Sequence, residues 1–222
     1  MSAQGTNEGR GIMRVAVFGA AGSVGSRVVA EALARGHEVT AVARDASRFP
    51  ALHPDAEPAA GDARHAEDVA RIAAGHDVVI TATRPAAGSE AELSVATKGL
   101  LAGLAGTGIR ILVVGGAGSL NTPGGTTVAD APDFPPSWRP IALACDEQLA
   151  VCRAETGVDW AYLSPAAMLE PGVRTGAYRL GADDLIVDAE GNSAISMEDL
   201  AVALLDEAET PRHHRTRFTV GY

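Results

Sequence analysis

The feature that most constrains this 222-residue chain is a glycine-rich turn near its N-terminus. The turn joins residues 13–18, a short apolar run that predicts a strand, to residues 23–35, whose apolar residues recur at helical spacing. Its glycines are Gly19, Gly22 and Gly25. A strand, a tight turn and a helix in this order predict the first unit of a layered α/β fold.

Glycines at this spacing also predict an anion site. Gly19 permits a tight turn, Gly22 lets a pyrophosphate group approach the backbone, and Gly25 lets the helix pack closely against the sheet. Free N–H groups and the helix dipole favour phosphate at the start of the helix. The turn therefore predicts a dinucleotide site that includes Gly19, Ala21, Gly22, Ser23, Val24 and Gly25. The alternative is that the glycines serve tight packing alone.

The rest of the chain repeats the alternation of strand and helix. Unbroken apolar runs such as residues 111–114 are typical of parallel strands buried on both faces. We therefore predict an α/β single-domain Rossmann fold with a doubly wound, mostly parallel sheet. The further predicted strands are residues 38–43, 56–61, 77–82, 109–114, 158–163, 178–180, 185–187 and 217–220; the predicted helices are residues 65–74, 89–105 and 141–155, and a last helix that opens at a capping-box sequence at Ser196 and ends near residue 208.

Two long segments interrupt this alternation, residues 116–140 and residues 165–193. An apolar fraction of 46% fits one globular domain, so we expect both segments to be substrate loops of a single NAD(P)-binding domain over residues 13–222. The polar residues 1–12 are predicted to be a disordered leader.

The end of the second predicted strand selects between NAD and NADP. An acidic side chain there would accept a hydrogen bond from the ribose 2′-hydroxyl of NAD, whereas an arginine suits the 2′-phosphate of NADP. The strand is followed by Arg44 and then by Arg48. Their guanidinium groups predict a preference for NADPH over NADH, because the fork geometry suits phosphate oxygens. The alternative is that Arg44 is a solvated charge and Asp45 binds the ribose.

Further cofactor contacts are predicted where the other strands end, because the carboxyl ends of parallel strands meet at one edge of the sheet. Asp62 is predicted to accept a hydrogen bond from the adenine amino group or, alternatively, to cap the next helix. The predicted residues at these ends are Asp62 and Ala63 at the third strand, Thr81, Ala82, Thr83 and Arg84 at the fourth, Gly116 and Ala117 at the fifth, and Pro165 at the sixth.

Several of these motifs resemble those of the atypical short-chain dehydrogenase/reductase-like proteins that bind NAD(P)H, chiefly the group of biliverdin reductase B and the NADH-flavin reductases. The motifs are FGAAGSVG (18–25), ARDASR (43–48), GDA (61–63), TGAY (175–178) and ISMEDLA (195–201). NmrA-like proteins are more distantly similar. The resemblance implies a Rossmann fold, a nicotinamide cofactor and a polar contact from Ser119 beside the nicotinamide. The alternative is that Ser119 only helps to form the turn after the fifth strand. Bilin reduction is not favoured, because Ala166 follows Pro165 where biliverdin reductase B has a histidine.

The superfamily's usual Tyr-x-x-x-Lys pair, which exchanges a proton with a carbonyl or an alcohol, is absent from this sequence. Lys98 is the only lysine, and Ser94 stands four residues before it. Without that acid, the most compatible chemistry is hydride transfer to a flavin, a quinone or a polycyclic ring, whose product is stabilised by conjugation and takes its proton from water. Ser119 is then the one predicted catalytic residue.

The first long segment carries aromatic side chains suited to a planar ligand. Phe134 and Trp138 are predicted either to form an apolar lid or to pack the segment onto the core. Asp133 is a further hypothesis for a proton donor, if such a lid desolvates it.

These features predict a cytoplasmic NADPH-dependent reductase of a small conjugated acceptor. A non-catalytic NADP(H) sensor and a biosynthetic isomerase, dehydratase or ketoreductase stay open as alternatives. A net charge of −10 disfavours nucleic-acid binding, and no apolar run has the length of a membrane span. Cys145 and Cys152 lack the spacing of a metal or redox pair, so no metal is predicted and a reducing compartment fits. The sequence leaves the oligomeric state open.

Overall fold

The computed structural model describes residues 11–222, so most of the predicted leader, residues 1–12, lies outside the described residues. In chain order the strands and helices are β1 (Arg14–Phe18), α1 (Ser23–Ala34), β2 (Glu38–Ala43), β3 (Glu57–Ala60), α2 (Ala66–Ala73), β4 (Val78–Thr81), α3 (Glu92–Leu104), β5 (Arg110–Val114), α4 (Arg139–Ala154), β6 (Trp160–Ser164), β7 (Met168–Glu170), β8 (Arg179–Gly181), β9 (Ala194–Ser196), α5 (Met197–Glu209) and β10 (Thr216–Gly221).

An eight-stranded sheet forms the middle layer, in the order β3-β2-β1-β4-β5-β6-β10-β8. Neighbouring strands run parallel, except that β8 is antiparallel to β10. The strand order reverses at β1, which lies between β2 and β4. This topology confirms the predicted Rossmann-like, doubly wound and mostly parallel sheet.

The first strand shows why its sequence is apolar throughout. Val15 and Val17 belong to the core beneath α1 and α5, whereas Ala16 and Phe18 belong to the core beneath α2, α3 and α4. Each of these four side chains is at most 1% exposed. Because helices cover both faces of the sheet, alternate residues of β1 need to be apolar on both sides.

Residues 165–193, predicted as a loop with two short strands, contain a small second sheet. β7 pairs in parallel with β9 and adds no strand to the main sheet. The predicted strand at residues 178–180 corresponds to β8, shifted by one residue. Each strand of the second sheet has only three residues, which is too short for a recognisable alternation of apolar and polar positions.

The predicted strand at residues 185–187 is wrong. Leu185 N donates instead to Asn121 O at 2.8 Å, and this bond joins the two predicted substrate loops. Ile186 packs on Gly221 of β10, where an added Cβ atom would lie 3.0 Å from the Ile186 Cβ atom. The apolar triplet therefore packs against the sheet instead of extending it.

The predicted start of the last helix is confirmed, but the capping box is only half formed. Ser196 Oγ accepts a hydrogen bond from Asp199 N at 3.0 Å. The buried Asp199 carboxylate turns away and accepts from Thr175 N and Gly176 N, both at 2.8 Å, and from the Tyr222 hydroxyl at 2.6 Å. Asp199 therefore ties the TGAY segment and the last described residue to α5.

Candidate functional site

The carboxyl ends of β1 to β6 bring the predicted cofactor residues to one edge of the sheet. Because these strands are parallel neighbours, Gly19 to Gly25, Arg44, Asp62, the residues from Thr81 to Arg84, Gly116, Ala117 and Pro165 all follow or end a strand at that edge. Ala63, Thr81 and Pro165 are buried, so they line the edge mainly from below.

The glycine turn has the geometry that the sequence predicts, with one difference. Gly19 has a φ of +80°, and an added Cβ atom would lie 2.7 Å from Ala82 O, so a side chain is excluded there. An added Cβ atom on Gly25 would lie 2.1 Å from Gly19 O. Gly25 therefore lets the first turn of α1 pack against the glycine turn itself, and not only against the sheet.

The N-terminus of α1 is open toward this edge. Gly22 is the N-cap residue, and no side chain of the described residues caps the helix there. The first turn holds no acidic residue, and Gly22 and Ser23 are exposed. Accessible N–H groups at the positive end of a helix dipole suit a pyrophosphate group, so the residues present fit the phosphates of a dinucleotide.

Arginines surround the carboxyl ends of β2 and β3. Arg44 is 65% exposed, and its Nη1 atom lies 3.6 Å from Glu92 Oε2. Arg48 is exposed on the 3₁₀ helix that follows β2. Asp45 Oδ1 caps that short helix by accepting from Ser47 N at 2.8 Å, and this bond holds the Asp45 pKa below its ordinary value. Arg44 and Arg48 are therefore accessible positive charges at this strand end, and the exposed Asp45 carboxylate lies between them in sequence.

The sequence did not single out Arg64, which controls what Asp62 does. Arg64 Nη2 donates to Asp62 Oδ2 at 2.6 Å, and Arg64 Nε lies 3.0 Å from each oxygen of the same carboxylate. This hydrogen-bonded pair holds the Asp62 pKa below its ordinary value. The alternative that Asp62 caps α2 is wrong, because His65 is the N-cap residue and its helix has no side-chain cap among the described residues. An adenine contact would share the carboxylate with Arg64.

Ser119 lies in a polar cluster beyond the end of β5. Arg217 Nη1 donates to Ser119 Oγ at 3.0 Å, and Arg217 Nε also donates to Asp183 at 2.8 Å. Asp146 of α4 is the carboxyl group beside this pair, and its pKa is raised because burial outweighs the lowering effect of Ser119 and Arg217. The cluster joins four distant parts of the chain, so spacing along the sequence could not reveal Asp146.

The described tyrosines, which are the usual acids of this fold class, are all committed elsewhere. Tyr162 is buried beneath the β5 end, with its hydroxyl 2.9 Å from Cys145 O, and burial raises its pKa well above the ordinary value. Tyr178 donates to Asp206 at 2.5 Å, and Tyr222 bonds Asp199 as described above. Lys98 is exposed on α3. No described tyrosine therefore has a lysine beside it to lower the pKa of its hydroxyl group.

The aromatic residues of the first long segment do not form a closed lid here. Trp138 is 48% exposed, Phe134 is half-buried, and Asp133 is exposed. The predicted packing of Trp138 onto the core is therefore wrong, and Asp133 has no desolvated setting. Asp146, not Asp133, is the carboxyl group beside Ser119.

A separate cavity of about 320 Å³ adjoins the small β7–β9 sheet. Its lining includes Met168, Val173, Ile195 and Tyr222, and it shares no residue with the predicted cofactor set. Among residues 11–222, no cluster of three or more His, Cys, Asp or Glu side chains is arranged to hold a metal ion. Within the same residues, no helix has the length and hydropathy that crossing a membrane requires.

Comparison with known proteins agrees with this geometry. The profile of the NAD(P)H-binding family matches residues 19–211. The uncharacterised protein YwnB of Bacillus subtilis is 39% identical over 214 residues, which cover 94% of this chain and 98% of YwnB. A solved structure of a candidate epimerase from Bacteroides thetaiotaomicron matches with a TM-score of 0.86 and 40% identity, over 96% of this chain and 98% of that one. A candidate NADH-flavin reductase from Streptococcus pneumoniae matches with a TM-score of 0.84 and 33% identity, over 94% and 99%.

Proposed function

Because the chain belongs to the NAD(P)H-binding family, we propose that it is an NADPH-dependent oxidoreductase that reduces a small conjugated acceptor. The observation that carries the proposal is the open helix N-terminus at Gly22, set in the glycine turn of a Rossmann-like sheet. That terminus supplies what a pyrophosphate requires, namely backbone donors and no competing carboxylate in the first helical turn.

The preference for NADPH rests on the charges at the β2 and β3 ends. Arg44 and Arg48 are exposed, and Arg64 is held in place by Asp62. A 2′-phosphate adds negative charge at this position of the ribose, and guanidinium groups bind phosphate through paired hydrogen bonds. NADH offers only a hydroxyl to the same groups.

The class of acceptor follows from the proton donors that the site provides. A carbonyl reductase of the Tyr-x-x-x-Lys type needs a placed phenolic acid, whereas Tyr162, Tyr178 and Tyr222 are bonded elsewhere. When bound, the reduced nicotinamide supplies a hydride to the acceptor, and the reduced ring takes its proton from water. Ser119, in its cluster with Arg217 and Asp146, is the residue we assign to orienting the reacting rings.

The similarity to a candidate NADH-flavin reductase from Streptococcus pneumoniae supports a flavin as the first acceptor to test. The Bacteroides neighbour, a candidate epimerase, favours the alternative of an isomerase of the same fold. A non-catalytic NADP(H) sensor has the same cofactor site and differs only in the absence of turnover.

We propose the cytoplasm as the location of this protein. Cys145 and Cys152 are unpaired, which fits a reducing compartment.

The direct test is NADPH oxidation with a panel of flavins and quinones, together with sugar nucleotides as epimerase substrates. We expect turnover with at least one flavin or quinone. Ser119→Ala should lower kcat about tenfold or more with the NADPH Kd unchanged, because it removes a positioning contact. Ser137→Ala, an exposed serine of the same segment, is the matched control. Tight NADPH binding without reduction of any acceptor would falsify the reductase, and turnover of a sugar nucleotide alone would establish the isomerase.

A further inference from the structure

Glu92 occupies the space between two arginines of the proposed cofactor site. Its carboxylate oxygens lie 3.6 Å from Arg44 Nη1 and 3.4 Å from Arg64 Nη1. Glu92 is the first residue of α3, while the two arginines follow β2 and β3. Three elements that are separate in sequence thus converge on one carboxylate.

The two arginines are held differently. Arg64 is fixed by its paired hydrogen bonds to Asp62, and its pKa is raised first by that partner and further by the charge of Glu92. Arg44 is two-thirds exposed and has Glu92 as its ion-pair partner at 3.6 Å. The Glu92 side chain is itself 42% exposed and that of Arg64 is 34% exposed, so solvent and ligands reach all three groups.

A carboxylate between two guanidinium groups has the negative charge and the acceptor oxygens that a phosphate group would present in the same place. We propose that Glu92 is an internal competitor of the cofactor's 2′-phosphate and thereby sets the preference between NADPH and NADH. The inference rests on the proposed cofactor site, but it does not require the protein to reduce any acceptor.

The competition affects the two cofactors unequally. NADPH must displace Glu92 from Arg44 and Arg64 and then place its phosphate near a carboxylate of the same charge sign. NADH brings no second anion and leaves the pairs intact. Glu92 therefore weakens the binding of NADPH but not of NADH. The preference of this chain for NADPH over NADH is then smaller than its arginines alone would give.

The test is calorimetric titration of NADPH and NADH into the wild-type chain, Glu92→Gln and the matched control Glu90→Gln. Glu90 carries the same charge two residues earlier, and its carboxylate accepts from Gly88 N in its own loop. We expect Glu92→Gln to tighten NADPH binding about three- to thirty-fold, because two exposed ion pairs are released, with less than a twofold change for NADH. Glu90→Gln should change neither Kd by more than about twofold.

Two further measurements keep the outcomes distinct. 2′,5′-ADP, which carries the 2′-phosphate without nicotinamide, should gain as much from Glu92→Gln as NADPH does, and the gain should shrink in high salt. In the Arg64→Ala background the gain should fall by at least half. Equal gains for NADPH and NADH, an equal gain from Glu90→Gln, a weaker NADPH complex, or no NADPH binding at all would overturn the inference. If the expected changes in the NADPH and NADH Kd values are found but no acceptor is reduced, the result counts against the proposed reductase and not against the role of Glu92.

Discussion

The two edges of the main sheet use charge in opposite ways. At the amino edge, where β5 and β6 begin, Arg110 Nη2 donates to Glu207 Oε1 at 2.6 Å, and the two side chains are only 9% and 4% exposed. Glu207 also accepts from Arg212 N and His213 N, both at 2.9 Å. This network joins the end of α5 to the sheet and holds its charges in fixed pairs.

At the carboxyl edge, several arginines beside the glycine turn stay accessible. Arg44, Arg48 and Arg84 are exposed, and the N–H groups at the start of α1 lack a side-chain cap among the described residues. From this difference we propose that the amino edge stabilises the fold and that the carboxyl edge binds a ligand. In parallel α/β sheets, ligands bind at the carboxyl edge, where accessible arginines can contact a negatively charged ligand.

The largest expected effect comes from breaking the amino edge. Arg110→Ala leaves the Glu207 carboxylate buried without its guanidinium partner, which should lower the free energy of unfolding by about 3–5 kcal/mol. Chemical denaturation with urea measures the loss, and the folded fraction should bind NADPH with unchanged Kd. Arg44→Ala, the exposed counterpart, should cost no more than about 0.5 kcal/mol. Equal losses in the two variants would contradict the assignment of stability to the amino edge.

The next largest effect should come from placing a carboxylate at the α1 N-cap. Gly22→Asp and Gly22→Asn introduce side chains of similar size that both cap a helix well, so their stabilities should agree. Repulsion between the introduced carboxylate and the pyrophosphate should make NADPH binding about 100-fold weaker in the first variant than in the second. Calorimetry on the two proteins isolates the charge. Equal Kd values for the two variants would show that the pyrophosphate does not bind at the N-terminus of α1.

A smaller effect should separate the two cofactors. Arg44→Ala removes an accessible guanidinium and should weaken NADPH binding about ten- to a hundred-fold, while the NADH Kd changes less than about threefold. Arg14→Ala, which removes an exposed arginine at the start of β1 on the amino edge, is the control for net charge. Parallel weakening of NADPH and NADH would show that Arg44 does not contact the 2′-phosphate.

The smallest effect should be the pH dependence of stability at the two edges. Burial raises the pKa of Glu207, but hydrogen bonds from Arg110 and from two backbone N–H groups outweigh it and leave the pKa lowered. The contribution of Glu207 is then present above its unfolded pKa of about 4.5 and lost as pH falls through the lower folded value. Asp146 has a raised pKa, so it should oppose folding above its unfolded pKa. Urea midpoints measured between about pH 3 and pH 7 check both contributions. Compared with the wild-type chain, Glu207→Gln should lose less stability as the pH falls, and Asp146→Asn should be slightly more stable near pH 7. The opposite pH dependence in either variant would contradict the direction assigned to that pKa.

The sequence predicts the carboxyl edge well, because its parts are local. Gly19, Gly22 and Gly25 mark a turn by their own spacing, and each strand end follows its own apolar run. Contacts between distant segments were not predictable in the same way. Arg64 and Asp146 are ordinary charged residues in the sequence, and only the packing of α3 and α4 brings them to Glu92 and Ser119. The β7–β9 sheet was missed for a similar reason, since its three-residue strands have no periodicity of their own.

The central claim is that the carboxyl edge binds NADPH while the amino edge only supports the fold, and backbone hydrogen exchange with and without NADPH tests it most directly. We predict slower exchange over residues 19–25, 44–48 and 62–64 when NADPH is present, with no change over residues 207–215. Slower exchange at the amino edge, protection confined to the cavity beside β7 and β9, or no difference at saturating NADPH would contradict the account.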